Sequence, residues 1–506
     1  KPWTYAWHRV AIPACTYAEG AHWTAGLFGG EEGGMSGCLA KEGDAACQSL
    51  LWPEQEGPKG LFKRCWEPSF QGTMTPRQSF QAILKDSAVR QPRQGYHELL
   101  DFAWRYFERP LQMEKTPEQL VKLDTLYFRQ LWRKNFDGVT GFASGMHWDD
   151  AKAAFVQSGT FEIGWVGQNA SVACGLLREY IKTGDADLRD KALSVLDSWV
   201  RNAALPNGLM LVKLQADPAH LDSIINGDIP VDLDACNLGT AATYFFKAAR
   251  LAEQAGTPRP EYEKLALGIC DFALRAQLDS GEFAKSWFMD GTINAAHGSV
   301  GAFMILPLLD AHTLTGEQKY ADCALRAFAF YYGEFAKNGF TTAGALDSYC
   351  IDKESAAPLL RAALECYHLT KDRAYVDAAE EVAYYLATWQ WHYSVRFPED
   401  SMARKIGYDT YGGTAVSAAH NAQDPYGLYY VPEYLELAQL TGKDIWLKRA
   451  RALWYNGIQL ISDGTLVIHN RVRPAGSQDE SVRHTRWGRP DKRIFVSSEW
   501  LVNWPG

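Results

Sequence analysis

A mainly α fold, a closed ring of six helical hairpins, is what this sequence predicts, and three observations predict it. Apolar residues recur at helical spacing in segment after segment from 96 to 460. One module returns five times, as "REYIKTGDADLRDKALSVLDSWV", "ARLAEQAGTPRPEYEKLALGICDFAL", "DAHTLTGEQKYADCALRAFAFYY", "ECYHLTKDRAYVDAAEEVAYYLA" and "LELAQLTGKDIWLKRARALWYN". Its turns lie roughly 55 to 72 residues apart, longer and less even than the ~33 to 47 of open solenoid repeats, which suits a closed ring. A pair of helical segments from about 97 to 134 makes the sixth hairpin. The result is an (α/α)6 toroid whose inner helices line a cavity and whose links form its mouth.

Each module is a helix, a Thr-Gly type turn, then an aromatic residue and a second helix. Glycine fits the turn because a helix commonly ends in the left-handed conformation, which only Gly adopts without penalty. Residues 1–95, with "GLFGGEEGGMSG" and short aromatic clusters, read as an irregular or β-rich accessory region. Residues 96–460 form the barrel, and 461–506, with "DGTLVIHNRVRPAGSQDESVRHTRW", read as a short β-like tail packed on it.

The bulk numbers exclude several partners. At 506 residues and 47% hydrophobic, the chain buries a sizeable core. Its formal charge of -9, without a concentrated basic run, excludes nucleic acid and anionic membrane surfaces. Nowhere do the apolar residues run long enough to span a bilayer. Self-association into a homo-oligomer stays open. The opening Lys1-Pro2-Trp3 has no initiator Met and gives no reading on export.

Ten cysteines occur without a C-x-x-C pair, so no structural zinc site, and no metal or cofactor, is expected. Cys174, Cys236, Cys270, Cys323, Cys350 and Cys366 lie in or beside apolar helical runs and read as small buried thiols. Cys15, Cys38, Cys47 and Cys65 would allow two disulfides, but such usage favours a reducing compartment, the cytoplasm over the periplasm or secretion. The 18 Trp and 13% aromatic content point to carbohydrate, since Trp faces stack on sugar rings.

Catalytic groups belong in the links and first turns of inner helices, where backbone N–H groups and the helix dipole favour anions. In "HWDDAKAAFVQSGTFEIGW", Glu162 precedes an Ile-Gly-Trp turn, with Trp165 in that turn and His147, Trp148, Asp149 and Asp150 upstream; Asp149 and Asp150 equally suit helix caps. In "VDLDACNLG", Asp232 and Asp234 both stand before an apolar helix, and an N-cap needs only one. His297 is flanked by Gly in "AAHGSVGAF". "ALDSYCIDKESAAPLL" brings Asp347, Asp352 and Glu354 together; Asp352 reads as a cap, Glu354 as a first-turn acid, and Asp347 as a substrate contact. Tyr408, Tyr411, His420 and Asp424 precede the last inner helix, and Arg471 and Arg473 follow it. The Asn169-Ala170-Ser171 sequon sits in an apolar helical run, which argues against glycosylation.

Four stretches, "TFEIGWVGQNASVACGLLREYIKTGD", "AAHGSVGAFMILPLLDAHTLTGEQKYAD", "DKESAAPLLRAALECYHLTKDRAYVDAAEEV" and "DPYGLYYVPEYLELAQLTG", in order over about 160 to 460, resemble the six-hairpin glycosidases, in particular unsaturated glucuronyl hydrolases and related β-glucuronidases. The resemblance implies an (α/α)6 barrel that trims a terminal uronic acid. It matches Glu162 to the acid of an H-D-I-G-F-like turn, and Asp232 or Asp234 to the second acid. "HGSVGAF" resembles an R-G-Q-A-W segment, and Asp352 to Ala357 a D-S-S-A-A segment. His297 stands where those enzymes carry Arg, Leu428 where they carry Asp, and Glu162 replaces Asp, departures that admit a saturated β-glucuronide beside the 4,5-unsaturated sugar.

Independently, glycoside cleavage needs one protonated carboxyl to donate to the leaving oxygen and one carboxylate to activate water or attack. The expected catalytic groups are thus Glu162 with Asp232 or Asp234. Trp148, Asp149, Trp165, His297, Asp347, Tyr408, Tyr411, His420, Arg471 and Arg473 are the expected contacts to an oligosaccharide. The uronate clamp would come from His297, Arg404, Lys405, Arg471 or Arg473. The alternatives are a polysaccharide lyase, with Tyr408, Tyr411 or His420 as base, and a carbohydrate-binding toroid without catalysis.

Overall fold

A computed structural model describes residues 2–55, 81–88, 92–135, 137–164, 168–215, 232–344, 349–397, 399, 401–418, 422–482 and 500–502. Twelve long helices build the ring in six pairs: α1 Tyr96–Phe107 and α2 Pro117–Leu131, α3 Asn169–Thr183 and α4 Ala186–Ala203, α5 Ala235–Gln254 and α6 Pro260–Ala276. The series continues with α7 Ile305–Thr315 and α8 Gln318–Asn338, α9 Ala356–Thr370 and α10 Ala374–Thr388, α11 Val431–Thr441 and α12 Asp444–Gly457.

The turns within the pairs are set as the sequence implies. Gly184, Gly316 and Gly442 close α3, α7 and α11 at φ +74°, +71° and +70°, and their amides bond back to Tyr180, His312 and Ala438 carbonyls. In "LTKD", Lys371 takes the same conformation at φ +63° without being glycine. Where a helix begins, local chemistry again decides: Thr116 and Gln119 form a capping box ahead of Pro117 in α2.

Helices α3, α5, α7, α9 and α11 are neighbours in that order and form the inner wall. α5 is buried around nearly its whole circumference, from Ala235 to Ala252, which a helix can be only when enclosed on all sides. The first pair closes the ring. Arg449 of α12 donates to the Leu100 carbonyl of α1 at 3.2 Å, Leu120 of α2 packs on Ile458 and Ile461, and Arg129 of α2 pairs with Asp185 and Asp187.

What positions the site is a set of short antiparallel strand pairs in the links. Thr160–Glu162 pairs with Lys213–Gln215, and Leu233–Asp234 with Ser286–Trp287, which also pairs with Ile293–Ala295. Thr341–Thr342 pairs with Ile351–Asp352, and Thr414–Ala415 with Gln423–Asp424. Four of these pairs end on an acid, Glu162, Asp234, Asp352 or Asp424, each upstream of an inner helix and Asp234 directly before its own. The ring repeats its acids as well as its hairpins.

The N-terminal region contains two three-stranded antiparallel sheets: Trp3–Ala6, Ser36–Glu42 and Ala45–Leu51; and Thr16–Glu19, Trp23–Gly29 and Ala82–Ala88. Trp7, Ile12 and Phe28 enter the main core with Leu99, Leu100 and Trp104. At the other end, Gln478–Asp479 and Trp500–Val502 extend the hairpin Gly145–Asp149/Ala154–Gln157 into a four-stranded sheet. Cys15, Cys38 and Cys47 are free thiols, and Cys65 lies outside the described residues. No helix among the described residues is long and apolar enough to cross a membrane.

Candidate active site at the ring mouth

The first acid is placed by strand register. Glu162 lies directly opposite Lys213, so both side chains share a face, and Lys213 Nζ stands 3.2 Å from Glu162 Oε1. Glu162 is 7% exposed, and its enclosed Oε2 has no hydrogen-bond partner among the described residues. Buried polar atoms are usually satisfied, and Glu433 Oε2 is a second carboxylate oxygen in the same condition. The backbone of Glu162 is held by Asn169, whose Nδ2 donates to the Glu162 carbonyl at 2.9 Å. Asn169 is itself locked by Phe142 and by Trp199 Nε1, so the turn is fixed from behind.

The second acid faces this turn across one glycine. A Cβ on Gly164 would lie 2.7 Å from Asn237 Cα, so the turn after Glu162 rests directly on the first turn of α5. Asp234 is the N-cap of that helix: its Oδ1 accepts from the Asn237 amide at 2.8 Å and its Oδ2 from Asn237 Nδ2 at 2.7 Å. It is 6% exposed, and burial pushes its pKa up; the Asp232 charge adds to the rise, while Asn237 and Lys285 oppose it. Asp232 has a different setting. More exposed, it accepts from Asn294 Nδ2 at 3.2 Å and lies 3.9 Å from Lys285 Nζ. Of the two aspartates, only Asp234 caps.

The remaining strand-end acids are committed to the fold. Asp352 accepts from the Gly344 amide at 2.5 Å and the Ser355 amide at 3.3 Å, but the N-cap position of α9 is Ser355, so Asp352 ties the link together and is not the cap expected of it. Asp424 receives both of its shortest contacts from Lys353 Nζ, at 2.7 and 2.9 Å, with neither side chain exposed. Thr414 Oγ1 and the Tyr426 amide complete its shell, and Lys353 lies 4.5 Å from the Tyr426 ring centre. Glu354 is enclosed in the turn before α9, and its charge is felt at Cys236 and Tyr426, both of which burial keeps protonated.

The expected substrate contacts fall into three groups. Trp148 and Arg471 stack at 4.5 Å, with Asp150 bonded to both, on the hairpin next to strand Thr160–Glu162; Asp149 caps the Ala151 and Lys152 amides there. His297 is 78% exposed, with Nδ1 3.1 Å from Glu282 Oε1. Tyr411 and Arg473 are fully enclosed, and Tyr408, at 8% exposed, gives its hydroxyl to the interior. Tyr408 bonds Gln423 and Asn456, Tyr411 packs between Trp104 and Arg109, and Arg473 makes a two-pronged ion pair with Asp479. Arg404 and Lys405 are exposed on a single helical turn, Met402–Lys405. Trp165, Asp347 and His420 lie outside the described residues.

Sequence reasoning missed Lys213, Lys285, Glu282 and Lys353. Lys213 is 51 positions from its partner (213 − 162), and only strand register joins them. Lys353 sat in plain view between two acids but gave no sign that its partner would be Asp424 in the next link.

No family model matches the chain, and no curated protein matches it in sequence. Among solved structures it is similar to a D-mannose isomerase, at 11% identity over 76% of this chain and 93% of that one, with a TM-score of 0.51. It is similar too to cellobiose 2-epimerase from Spirochaeta thermophila, at 9% identity over 79% of this chain and 92% of that one, again with a TM-score of 0.51. The chain is an (α/α)6 barrel.

The barrel thus concentrates two enclosed carboxyls with contrasting partners where two links meet. Glu162 faces an ammonium group, and Asp234 faces burial and a neighbouring negative charge. Pairs of acids whose surroundings differ in this way can divide the roles of proton donor and base. Among the described residues no group of three or more His, Cys, Asp or Glu converges in a way that would hold a metal ion.

Proposed function

We propose that this protein is a carbohydrate-active enzyme, a glycoside hydrolase that removes a terminal uronic acid from an oligosaccharide, with residues 96–460 as its catalytic unit. The observation that carries the reading is the Glu162–Asp234 arrangement: one acid paired with Lys213, the other buried with its pKa raised. Asp234 donates its proton to the glycosidic oxygen, and Glu162 activates water or attacks the anomeric carbon. Lys213, with its side chain 46% exposed, has N–H groups left over for the uronate carboxylate beside Glu162. The sugar substrates named for the mannose isomerase and the cellobiose epimerase support carbohydrate as the class. Asp232 tunes Asp234 electrostatically.

The lyase alternative has less support because two of its three expected bases are engaged in the interior: Tyr408 donates to Gln423, and Tyr411 packs on Trp104 and Arg109. The deciding experiment incubates the protein with an aryl β-glucuronide and with a 4,5-unsaturated uronyl disaccharide. Release of the aglycone from either, lost in both Glu162→Gln and Asp234→Asn, is the expected result. Appearance of a new double-bond absorbance would establish a lyase, and interconversion of free sugars without bond cleavage an isomerase. Full activity in both variants would remove these two residues from the chemistry.

A further inference from the structure

The link that follows strand Ile293–Ala295 carries an exposed aromatic ring over it. Tyr349 is 61% exposed in the link before α9, and its hydroxyl rests over Gly298, where an added Cβ would come within 3.3 Å of it. Gly298 has φ +141°, a conformation that side-chain-bearing residues avoid, so the backbone there is shaped to let the ring lie close. On the other side Ala343 holds φ +68°, and its Cβ would be 2.9 Å from a Cβ on Gly298.

Below the ring lies a polar floor. Glu282 is enclosed, its Oε1 3.1 Å from His297 Nδ1. Its position is fixed through the next residue, since Tyr331 Oη both accepts from the Phe283 amide at 2.8 Å and donates to the Phe283 carbonyl at 3.0 Å. The bond to Glu282 occupies His297 Nδ1 and turns Nε2 of this exposed ring toward solvent. Partial burial and then the Glu282 charge hold the Tyr349 proton in place, leaving its hydroxyl a donor.

The platform is continuous with one acid of the pair. Asn294, three residues before His297, bonds Asp232, and strand Leu233–Asp234 belongs to the same three-stranded sheet as Ile293–Ala295. Glu162 and Lys213 occupy the other link. We propose that Tyr349, His297 and Glu282 form the subsite for the leaving-group sugar: the ring stacks on the apolar face of a pyranose while His297 Nε2 bonds its hydroxyls. This rests on the hydrolase reading, which makes Asp234 the donor to the leaving oxygen and so puts that sugar on the Asp234 side. Lys213 keeps the uronate on the opposite side.

The test compares kcat/KM for a β-linked glucuronyl-glucose disaccharide with that for methyl β-glucuronide, whose leaving group is too small to stack. Tyr349→Ala lowers the disaccharide-to-methyl ratio about tenfold, and Tyr349→Trp restores it. An unchanged ratio in Tyr349→Ala overturns the subsite and leaves the hydrolase standing. If the wild-type protein cleaves neither these glycosides nor the 4,5-unsaturated uronyl disaccharide, the hydrolase reading falls, and calorimetric titration with the glucuronyl-glucose disaccharide decides the platform. Binding about tenfold weaker in Tyr349→Ala keeps it; equal binding, or none by either protein, sinks it.

Discussion

Two sets of buried acids lie inside the ring, and they are built differently. At the mouth, Glu162 and Asp234 stand at the ends of short strands, with their backbones pinned by Asn169 and by the α5 cap. In the first turn of α11, Glu433 lies 3.7 Å from Arg361 of α9, and midway along α7, Asp310 lies 3.9 Å from Arg250 of α5. Burial raises the Glu433 pKa to about 7 and that of Asp310 to about 6, in each case against a neighbouring arginine. A raised carboxyl pKa therefore records burial and does not by itself single out chemistry. What distinguishes Glu162 and Asp234 is that their links touch, through Gly164 and Asn237, and that their partners are unequal.

The sharpest way to break that comparison is to neutralise one acid from each set. Asp234→Asn, which keeps the cap, is expected to lower kcat on the cleaved glycoside about a thousandfold, whereas Glu433→Gln should leave kcat within a few-fold of wild type. Equal losses in steady-state assays would erase the distinction. Next in size is the buried Lys353–Asp424 pair: Lys353→Met strands a carboxylate and should destabilise the fold by about 3–5 kcal/mol in denaturant unfolding, most of it recovered when Asp424→Leu is added. Lys213→Met should raise KM for uronides about tenfold more than for the corresponding neutral glucosides, because a charge-assisted contact to the carboxylate is lost.

The smallest effect concerns pH. Glu433 titrates near 4.5 when unfolded and near 7 when folded, so between these values the folded state holds the extra proton. Stability contributed by this group is full below about 4.5 and is lost as pH rises toward 7. Glu433→Gln should flatten that decline by on the order of 1–3 kcal/mol, read from unfolding curves at pH 5 and pH 8.

The ring was legible because its signals are local: helical periodicity, a Thr-Gly turn and a fixed order of hairpins all lie within a few tens of residues. The acids were legible as a crowd but not as individuals. Asp232 and Asp234 look alike in sequence, and only the cap geometry and the Lys285 and Asn294 contacts separate them. Aromatic and basic residues were the least readable. Tyr408, Tyr411 and Arg473 have the side chains of a sugar site, yet Tyr408 and Tyr411 are held by distant partners, Asn456 and Trp104, and Arg473 by Asp479 across a local turn. Tyr349 lay within a stretch whose acids drew attention, and nothing local marks a tyrosine as exposed.

The sheet beside Glu162 has a consequence for how the molecule comes together. Trp500–Val502 pairs with Gly145–Asp149, and Tyr127 Oη bonds the Leu501 carbonyl at a separation of 374 residues. The helical hairpins need only neighbours in the chain and can form as soon as each has left the ribosome, but this sheet must wait for one of its strands until residues 500–502 emerge. A nascent chain would therefore carry folded helices well before the flank of its mouth was complete.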